Sequence, residues 1–255
     1  MPRLEFTKPF NCIVPRRTSR TRAIRIALIS FGITLTWLAD SQAEGQRMPE
    51  DPVVAQVESS IRDRLVNIAQ FKVTEDYRVY RNGSDKPAAQ KVFRAEYEKN
   101  SGMRYTDLGG GGSTMLQSRA IEPPRTSDRE GNDPKMRDQV ALTSDNYDFQ
   151  REPGNVSLNG RDCLIFDITA RRKSIYLLNG KAWVDAKTLS LVRIKGVQSL
   201  KLSFWAGLPE ITRDYEDVNG FPMVVYEEIE AHSYLFGQTT VKIKYQDYSV
   251  VRGSK

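Results

Sequence analysis

Charged and apolar side chains alternate in the C-terminal half of the chain, and this alternation limits the possible fold more than any other feature. Lys242 and Lys244 alternate with the apolar residues of 241–245, and Lys201 does the same within 200–204. Successive side chains of a strand point to opposite faces, and a buried, unpaired charge is costly. The sequence therefore predicts strands with one packed face and one solvated face.

The same period of two runs through most of the chain. One face is apolar in each of two early strands, which carry Phe71, Val73, Tyr77 and Val79, and then Phe93, Ala95 and Tyr97. Turn residues at 82–87, Asn159-Gly160 and Asn179-Gly180 separate such runs. We count about ten strands, with early ones over 71–79, 93–97 and 103–108, and later ones from Tyr147 onward that include 174–178, 181–185, 189–195, 200–205, 211–215, 223–230 and 239–250.

Helical patterns are confined to the N-terminal part. Apolar residues recur at helical spacing over 51–70, behind the cap and first-turn pair Asp51-Pro52. A second, short helix is predicted over 113–122, opened by a capping box of Ser113-Thr114 with Gln117 and stopped before Pro123-Pro124. The glycines at 109–112 read as a hinge before that helix, and 125–135 reads as irregular.

These elements predict an α+β fold, a large curved antiparallel sheet that forms an incomplete β-barrel. We expect the helices at 51–70 and 113–122 to act as lids, with 113–140 as a helical and irregular insertion that includes the polar stretch 123–134. One helix cannot cover so long an apolar face. The side chains therefore either fill the interior or leave an apolar cavity, and the pattern alone leaves both outcomes open.

Residues 1–43 have the pattern of a secretory signal peptide. Five arginines between residues 16 and 25 precede the apolar run 26–39, which ends in Ser41-Gln42-Ala43. Small residues at these positions are typical of a signal-peptidase site. We expect cleavage after Ala43 and a periplasmic protein, with an uncleaved anchor helix as the alternative.

Most of the excess positive charge lies in that segment. Seven of the 38 basic residues, but only two of the 32 acidic residues, precede residue 44. The remainder is nearly balanced, which argues against a nucleic-acid-binding protein. We expect 44–255 to form a single domain and a monomer.

The residue types that carry most chemistry are scarce. Cys163 lies inside an apolar strand, where a small buried role is typical. His232, the single histidine of the chain, stands near a strand end. Because the chain has one histidine, and one cysteine after residue 43, zinc clusters and catalytic Cys-His pairs are improbable. The basic run 171–173 is typical of a solvated turn, although it could contact anionic headgroups or an acidic partner. We therefore expect no metal and no cofactor.

Asp185, beside Trp183 in the stretch NGKAWVDAKTLSLVRIKG, is the most conspicuous candidate catalytic acid. The alternation places Trp183 and Asp185 on the outer face with Arg193 and Lys195. Asp185 then most simply caps the turn that follows and pairs with a neighbouring cation. We find neither a nucleophile elbow nor a metal-binding helix motif, so the sequence indicates a protein that is not an enzyme.

Several segments carry a resemblance to a known family. The runs LTSDNYDF, LNGRDCLIFDITARRKSIYLLNGKAWVDAKTLSLVRIKG, SFW and FGQTTVKIKYQDYSV resemble periplasmic proteins of the outer-membrane lipoprotein carrier (LolA/LolB-like) superfamily, in particular its lipoprotein-sorting branch. The resemblance covers about 51–250. It implies an incomplete antiparallel barrel closed by helices, with an apolar cavity for acyl chains and no catalysis.

The sequence thus predicts a periplasmic carrier that binds acyl chains of a lipid or lipoprotein and shuttles them across the envelope. An envelope-sensing protein-interaction module on the same fold, with Trp183 or 171–173 as its contact, is the alternative, and a hydrolase that uses Asp185 or His232 is a third. The residues expected to line the cavity are Phe71, Val73, Phe93, Leu164, Phe166, Ile168, Val192, Ile194, Leu202, Phe204 and Ile243.

Overall fold

The computed structural model describes residues 51–200, 207–233 and 237–253. The predicted signal peptide at 1–43 therefore lies outside the described residues. The predicted strand at 200–205 lies outside them except for its first residue. The described elements are, in chain order, α1 (Pro52–Asn67), β1 (Ile68–Arg81), β2 (Ala89–Glu98), β3 (Gly102–Gly112), α2 (Thr114–Leu116), a π-helical turn (Gln117–Ile121), α3 (Glu122–Gly131), α4 (Arg137–Val140), β4 (Tyr147–Leu158), β5 (Arg161–Ala170), β6 (Leu178–Asp185), β7 (Leu191–Gln198), β8 (Glu210–Val218), β9 (Phe221–Ser233) and β10 (Gly237–Arg252).

The ten described strands form a single antiparallel sheet in the order β3-β2-β1-β10-β9-β8-β7-β6-β5-β4. Seven strands follow one another from β4 to β10, and β1 pairs with β10, so that β3 and β4 are the two edges of the described sheet. This confirms the predicted open antiparallel sheet. The segment between β3 and β4, residues 113–146, holds α2, the π-helical turn, α3 and α4, and it runs from one edge of the sheet to the other.

One face of the sheet is buried, as the alternation predicts. On β1 the residues Phe71, Val73, Tyr77 and Val79 are all 6 % exposed or less. On β10, Val241 and Ile243 are buried while Lys244 is exposed. Burying these side chains stabilises the sheet by about 25 cal/mol for each Å² of apolar surface removed from water.

Helix α1 begins where the sequence predicts and ends three residues early. The Asp51 side chain accepts a hydrogen bond from the Val53 N–H at 2.9 Å, and Pro52 occupies the first turn, where its missing N–H is not needed. Ile68, expected in the helix, instead pairs with Arg252 of β10, so that its backbone joins the sheet. Glu58, which is buried, accepts a bond from the Ser144 N–H and thereby fixes α1 to the segment before β4.

The prediction that the second helix stops before Pro123-Pro124 is wrong. Both prolines lie in the first turn of α3, which continues to Gly131 through residues predicted to be irregular. Proline is tolerated in a first turn because that turn's N–H groups have no partner within the helix. The predicted capping box is also wrong, since Ser113 alone caps α2 and the Gln117 amide donates to the Gly111 carbonyl at 2.9 Å.

The glycines at 109–112 continue β3 and pair with 89–92 of β2, so the predicted break at this point is wrong. A Cβ on Gly110 would lie 2.2 Å from the Gln90 carbonyl oxygen, and one on Gly112 would lie 2.4 Å from that of Ala88. Glycine is therefore needed because β3 approaches β2 too closely for a side chain.

Asn179-Gly180 is the other turn prediction that is wrong. Both residues lie inside β6, and the predicted strand at 174–178 does not form before Leu178. Gly180 pairs with Gly196 of β7, and a Cβ on Gly180 would come within 2.1 Å of the Lys195 carbonyl oxygen. The Asn-Gly pair at 159–160 forms the predicted turn, with both residues at positive φ.

Candidate functional site

Asp185 is the corner of a hairpin, as predicted. Its Oδ1 accepts bonds from the backbone N–H groups of Lys187 and Thr188, each at 2.9 Å, and these bonds hold the pKa of its carboxyl below the usual value. The cations expected beside it pair elsewhere, Arg193 with Asp214 at 2.8 Å and Lys195 with Glu210 at 2.7 Å. Asp185 is thus satisfied by its own turn.

The other candidate polar residues are also accounted for locally. His232 is exposed at the end of β9, where its carbonyl accepts from the Gly207 N–H at 3.0 Å. In the basic turn, Arg171 binds Asp148 at 3.0 Å and Arg172 binds the Asn146 side chain at 2.8 Å. Cys163 is fully buried, as predicted, and burial raises the pKa of its thiol. In the described ranges, no group of three or more His, Cys, Asp or Glu side chains is placed to hold a metal ion.

A cavity of about 600 Å³ lies between the buried face of the sheet and the helices. Its apolar wall comes from α1, from most strands and from the segment that joins the two edges of the sheet. This volume falls within the range of about 300 to 1,000 Å³ that is typical of ligand pockets. Of the two outcomes that the pattern left open, the structure therefore has the cavity.

The structure places the predicted lining residues in three groups. Phe71, Val73, Ile168 and Ile194 line the cavity. Leu202 and Phe204 lie outside the described residues. The remaining five are buried without lining it, and they are Phe93, Leu164, Phe166, Val192 and Ile243.

Local irregularities explain why some buried residues miss the cavity. The pairing of β6 with β7 shifts register after Trp183, so that Val184 is opposite Leu191, and Leu191 lines the cavity in place of Val192. Phe93 packs edge-on against Tyr77 at 5.6 Å and is covered by the guanidinium of Arg125 at 5.1 Å. Such a shift has no clear sign in the alternation of residue types.

The cavity wall also includes residues that are not among the eleven predicted lining residues. Ile61 and Leu65 come from α1, and Leu116, Val140 and Leu142 come from the segment between β3 and β4. The helical spacing of 51–70 does indicate Ile61 and Leu65, since both belong to its apolar stripe. The other three lie in a segment whose position over the sheet no local pattern encodes.

Polar side chains interrupt the apolar wall of the cavity. Glu75 lines the cavity at 1 % exposure and accepts a bond from the Tyr77 hydroxyl at 2.7 Å. Glu227 accepts from Arg213 at 3.0 Å and from the Tyr245 hydroxyl at 3.1 Å.

Asp128 of α3 completes these contacts from the helical side. It accepts from the Tyr105 hydroxyl at 2.5 Å and from the Asn132 amide at 3.1 Å. Together, Glu75, Asp128, Arg213, Glu227 and Tyr245 form what we term the polar patch, and all five line the cavity.

Burial dominates the electrostatics of the polar patch. Burial and the repulsion of the neighbouring Asp128 together raise the pKa of Glu75 to about 8. Burial also raises the pKa of Asp128, in spite of the bond from Tyr105. Burial works against the charge of Arg213, but Glu227, Tyr215 and Tyr245 together outweigh it and leave that pKa above its usual value. Arg213 still keeps 34 % of its side-chain surface exposed, which fits its position on the cavity wall.

Two of these carboxyls could have been recognised as site residues from the alternation of residue types. Glu75 falls in phase with the buried residues Val73 and Tyr77, and Glu227 falls in phase with Met223. An acid on the apolar face of a strand is uncommon because its burial is costly. Asp128, by contrast, lies in a segment that the sequence indicates to be irregular.

The class of architecture is thus an open antiparallel sheet whose buried face, helices and polar patch enclose a cavity. No family model and no curated protein matches the chain. The part of the chain that the structure describes has no helix long and apolar enough to cross a membrane.

Solved structures similar to this chain include members of the superfamily that the sequence resembles. One is a LolA superfamily protein from Nitrosomonas europaea, with 14 % identity, coverage of 78 % of this chain and 94 % of that one, and a TM-score of 0.42. Another is an outer membrane lipoprotein-sorting protein domain from Vibrio parahaemolyticus, with 8 % identity, coverage of 80 % and 93 %, and a TM-score of 0.46. A third is MucB in complex with MucA, with 10 % identity, coverage of 76 % and 94 %, and a TM-score of 0.24. At these values the likeness concerns the fold and assigns no activity.

Proposed function

We propose that the cavity binds an acyl chain of a lipid or lipoprotein. The observation that supports this most is the cavity itself, about 600 Å³ between the sheet and the helices. Its wall is apolar on both sides, with Phe71, Ile168 and Ile194 on the sheet and Ile61 and Leu65 on α1. Each methylene that leaves water for such a wall contributes about 0.8 kcal/mol.

The carrier acts without catalysis in this proposal. Asp185 is engaged in a turn, and His232 is exposed at a strand end. Transfer of an acyl chain requires an apolar site and a conformational change that opens it. The helical segment 113–131 and α1 are the elements that would move as lids, because they cover the sheet from the helical side.

The periplasm is the compartment in which such a carrier would work. The signal-peptide pattern of 1–43 supports export, and the resemblance to lipoprotein carriers supports a shuttle across the envelope as a monomer. We also propose that the predicted lining residues contact the acyl chain. Those that line the cavity in the structure are the first to test.

The experiment is uptake of a fluorescent fatty acid by the purified chain, compared with an Ile194→Trp variant. Ile194 lines the cavity, so a tryptophan there removes volume from the binding site. Val156→Trp on the edge strand β4 is the matched control, because Val156 is 39 % exposed. We expect the wild type and Val156→Trp to take up the probe, and Ile194→Trp to lose most of it.

Absence of uptake by all three proteins would count against the acyl-chain site. In that event, a protein partner recovered by cross-linking in the envelope would favour the alternative, an interaction module on the same fold.

A further inference from the structure

The charged side chains on the cavity wall are mostly cationic. Three carboxyls line the cavity, those of Glu75, Asp128 and Glu227, and no lysine lines it among the described residues. Its five cations are all arginines, and they are Arg64, Arg81, Arg119, Arg137 and Arg213. The wall thus has more cationic than anionic groups even when all three carboxyls are ionised, and such a wall attracts an anion and repels a cation.

The three carboxyls compensate few of these arginines. Each accepts a hydrogen bond from a tyrosine hydroxyl, and Glu227 also pairs with Arg213 at 3.0 Å. Burial and the repulsion of Asp128 raise the pKa of Glu75 to about 8, so that carboxyl is mostly protonated and uncharged near neutral pH. The positive charge of the wall is therefore largely left to a ligand.

Arg64 lies on the cavity side of α1 without an acidic partner. It is half-buried, and it lines the cavity together with the next residue, Leu65. Its guanidinium makes no hydrogen bond and no ion pair within the described ranges. Arg62, which is exposed on the same helix, pairs instead with Glu58 at 3.6 Å and with Asp145 at 2.9 Å. Because partial burial of an unpaired charge is costly, the position of Arg64 points to an anion that the cavity receives.

Tyr215 and Arg213 of β8 lie near Arg64 on the same wall. All three line the cavity, and Tyr215 is 8 % exposed. Burial raises the pKa of the Tyr215 hydroxyl, whereas the positive charges of Arg213 and Arg64 oppose that rise, so both arginines are close enough to act on it. The hydroxyl donates to no group in the described part of the chain. Two guanidiniums near one unused donor form a site whose mutual repulsion an anion would relieve.

Arg137 adds an unsatisfied donor to the cavity wall. Its Nη1 donates to the Tyr97 hydroxyl and to the Lys99 carbonyl, each at 3.0 Å. Its buried Nε has no hydrogen-bond partner, and its guanidinium pairs with no carboxylate among the described residues. Buried polar atoms are nearly always bonded, so this donor too indicates a wall that lacks acceptors.

We propose that the cavity binds an amphiphile with an oxyanion headgroup, a carboxylate or a phosphate, which accepts hydrogen bonds from Arg64 and from the Tyr215 hydroxyl while the chain occupies the apolar part of the cavity. The proposal rests on the acyl-chain site proposed above and adds the chemistry of the ligand's polar end. A guanidinium presents paired N–H donors that match two oxygens of a carboxylate or phosphate. An ammonium headgroup would instead meet guanidiniums of its own charge.

The test compares four ligands that share a decyl chain, which are decanoate, decyl phosphate, decanol and decylamine. Their affinities are measured by calorimetric titration of the delipidated full chain near neutral pH, below their micelle concentrations. We expect decanoate and decyl phosphate to bind at least about tenfold more tightly than decanol, because hydrogen bonds between charged groups are stronger than those of a hydroxyl. Decylamine should bind most weakly.

Variants and chain-free anions locate the effect. Arg64→Gln should reduce the affinity for both anionic ligands to about that for decanol, whereas Arg94→Gln, which removes the same charge at an exposed position of β2, should behave as the wild type. Tyr215→Phe removes one donor and should weaken both anionic ligands by about threefold or more, with little effect on decanol. Acetate and inorganic phosphate should bind at least about a hundredfold more weakly than the decyl anions, because they lack the apolar chain.

Three results would overturn the oxyanion site while leaving the acyl-chain site standing. They are equal affinity of the wild type for decanoate and decanol, tightest binding of decylamine, and an unchanged preference for the anionic ligands in Arg64→Gln. Inorganic phosphate that binds as tightly as decyl phosphate would also overturn it, because the anion would then be held without the chain. No binding of any decyl ligand would overturn both sites.

Discussion

Glu75 on β1 lies directly opposite Tyr245 on β10, and both line a cavity that is otherwise mostly apolar. Strand pairing thus places a buried carboxyl on the wall of the proposed acyl-chain site. An apolar interior could have been stabilised more simply by apolar residues, because burying an acid costs free energy that a hydrophobic side chain does not. We therefore expect Glu75 to contribute to the pH dependence of stability.

Stability should depend on pH through Glu75. Its pKa in the folded chain is raised, so the protonated form stabilises the fold below the unfolded pKa of about 4.5. That stabilisation is lost as the pH rises through about 8. We expect the free energy of unfolding by urea to fall by at least about 1 kcal/mol between about pH 5 and about pH 9.

The Glu75→Gln variant should remove most of this slope, because an amide does not titrate. Glu216→Gln, whose side chain is exposed, should retain it. A slope that is the same in Glu75→Gln and the wild type would show that other groups produce it, Asp128 being the first to examine since its pKa is raised too.

Two neighbouring glycines should respond differently to the same substitution. A Cβ at Gly110 would collide with the Gln90 carbonyl oxygen at 2.2 Å, whereas one at Gly111 would meet nothing within 4 Å. We expect Gly110→Ala to lower the free energy of unfolding by about 2 kcal/mol or more, and Gly111→Ala to change it by less than about 1 kcal/mol. Similar losses at both positions would contradict the close approach of β3 to β2 and would revive the hinge interpretation.

Asp185 should matter for stability and not for binding. Asp185→Ala removes the acceptor for the N–H groups of Lys187 and Thr188, so we expect a loss of about 1 kcal/mol in urea unfolding. Asp185→Asn keeps an acceptor and should lose less. Uptake of the fluorescent fatty acid should equal that of the wild type in both variants, and a variant that stays folded but loses uptake would place Asp185 in the site after all.

Ile121 should fix the helical segment to the sheet. It is fully buried in the π-helical turn and packs in the same cluster as Tyr77 and Val241. Ile121→Ala should lower the free energy of unfolding by about 2 to 4 kcal/mol and speed hydrogen exchange in 114–131. Met115→Ala, at a position 55 % exposed, is the control. Unchanged exchange in Ile121→Ala would mean that other contacts hold the segment in place.

The sequence predicts the sheet better than it predicts the site. The alternation over 241–244 indicates which face is buried. Side chains of a strand alternate between the two faces, and a charged side chain resists burial. The antiparallel sheet with one buried face follows from this alternation. Asn179-Gly180 misleads because the same glycine that suits a tight turn also permits two strands to approach closely, as Gly180 and Gly196 do.

The site depends on features that local patterns do not encode. The register shift that exchanges Val192 for Leu191 on the cavity wall is set by the pairing of two strands. The position of Asp128 is set by a helix that contains Pro123 and Pro124 in its first turn, where proline is harmless. Glu75 and Glu227 could have been found, because each falls in phase with buried residues of its strand.

The central claim is that the cavity holds a lipid chain, and native mass spectrometry of the full-length protein purified from a cell envelope tests it most directly. We expect a bound species of lipid mass in the wild type, and little or none in Ile194→Trp, in which the tryptophan takes up part of the cavity. Lipid-free wild-type protein that also takes up no fluorescent fatty acid would contradict the account.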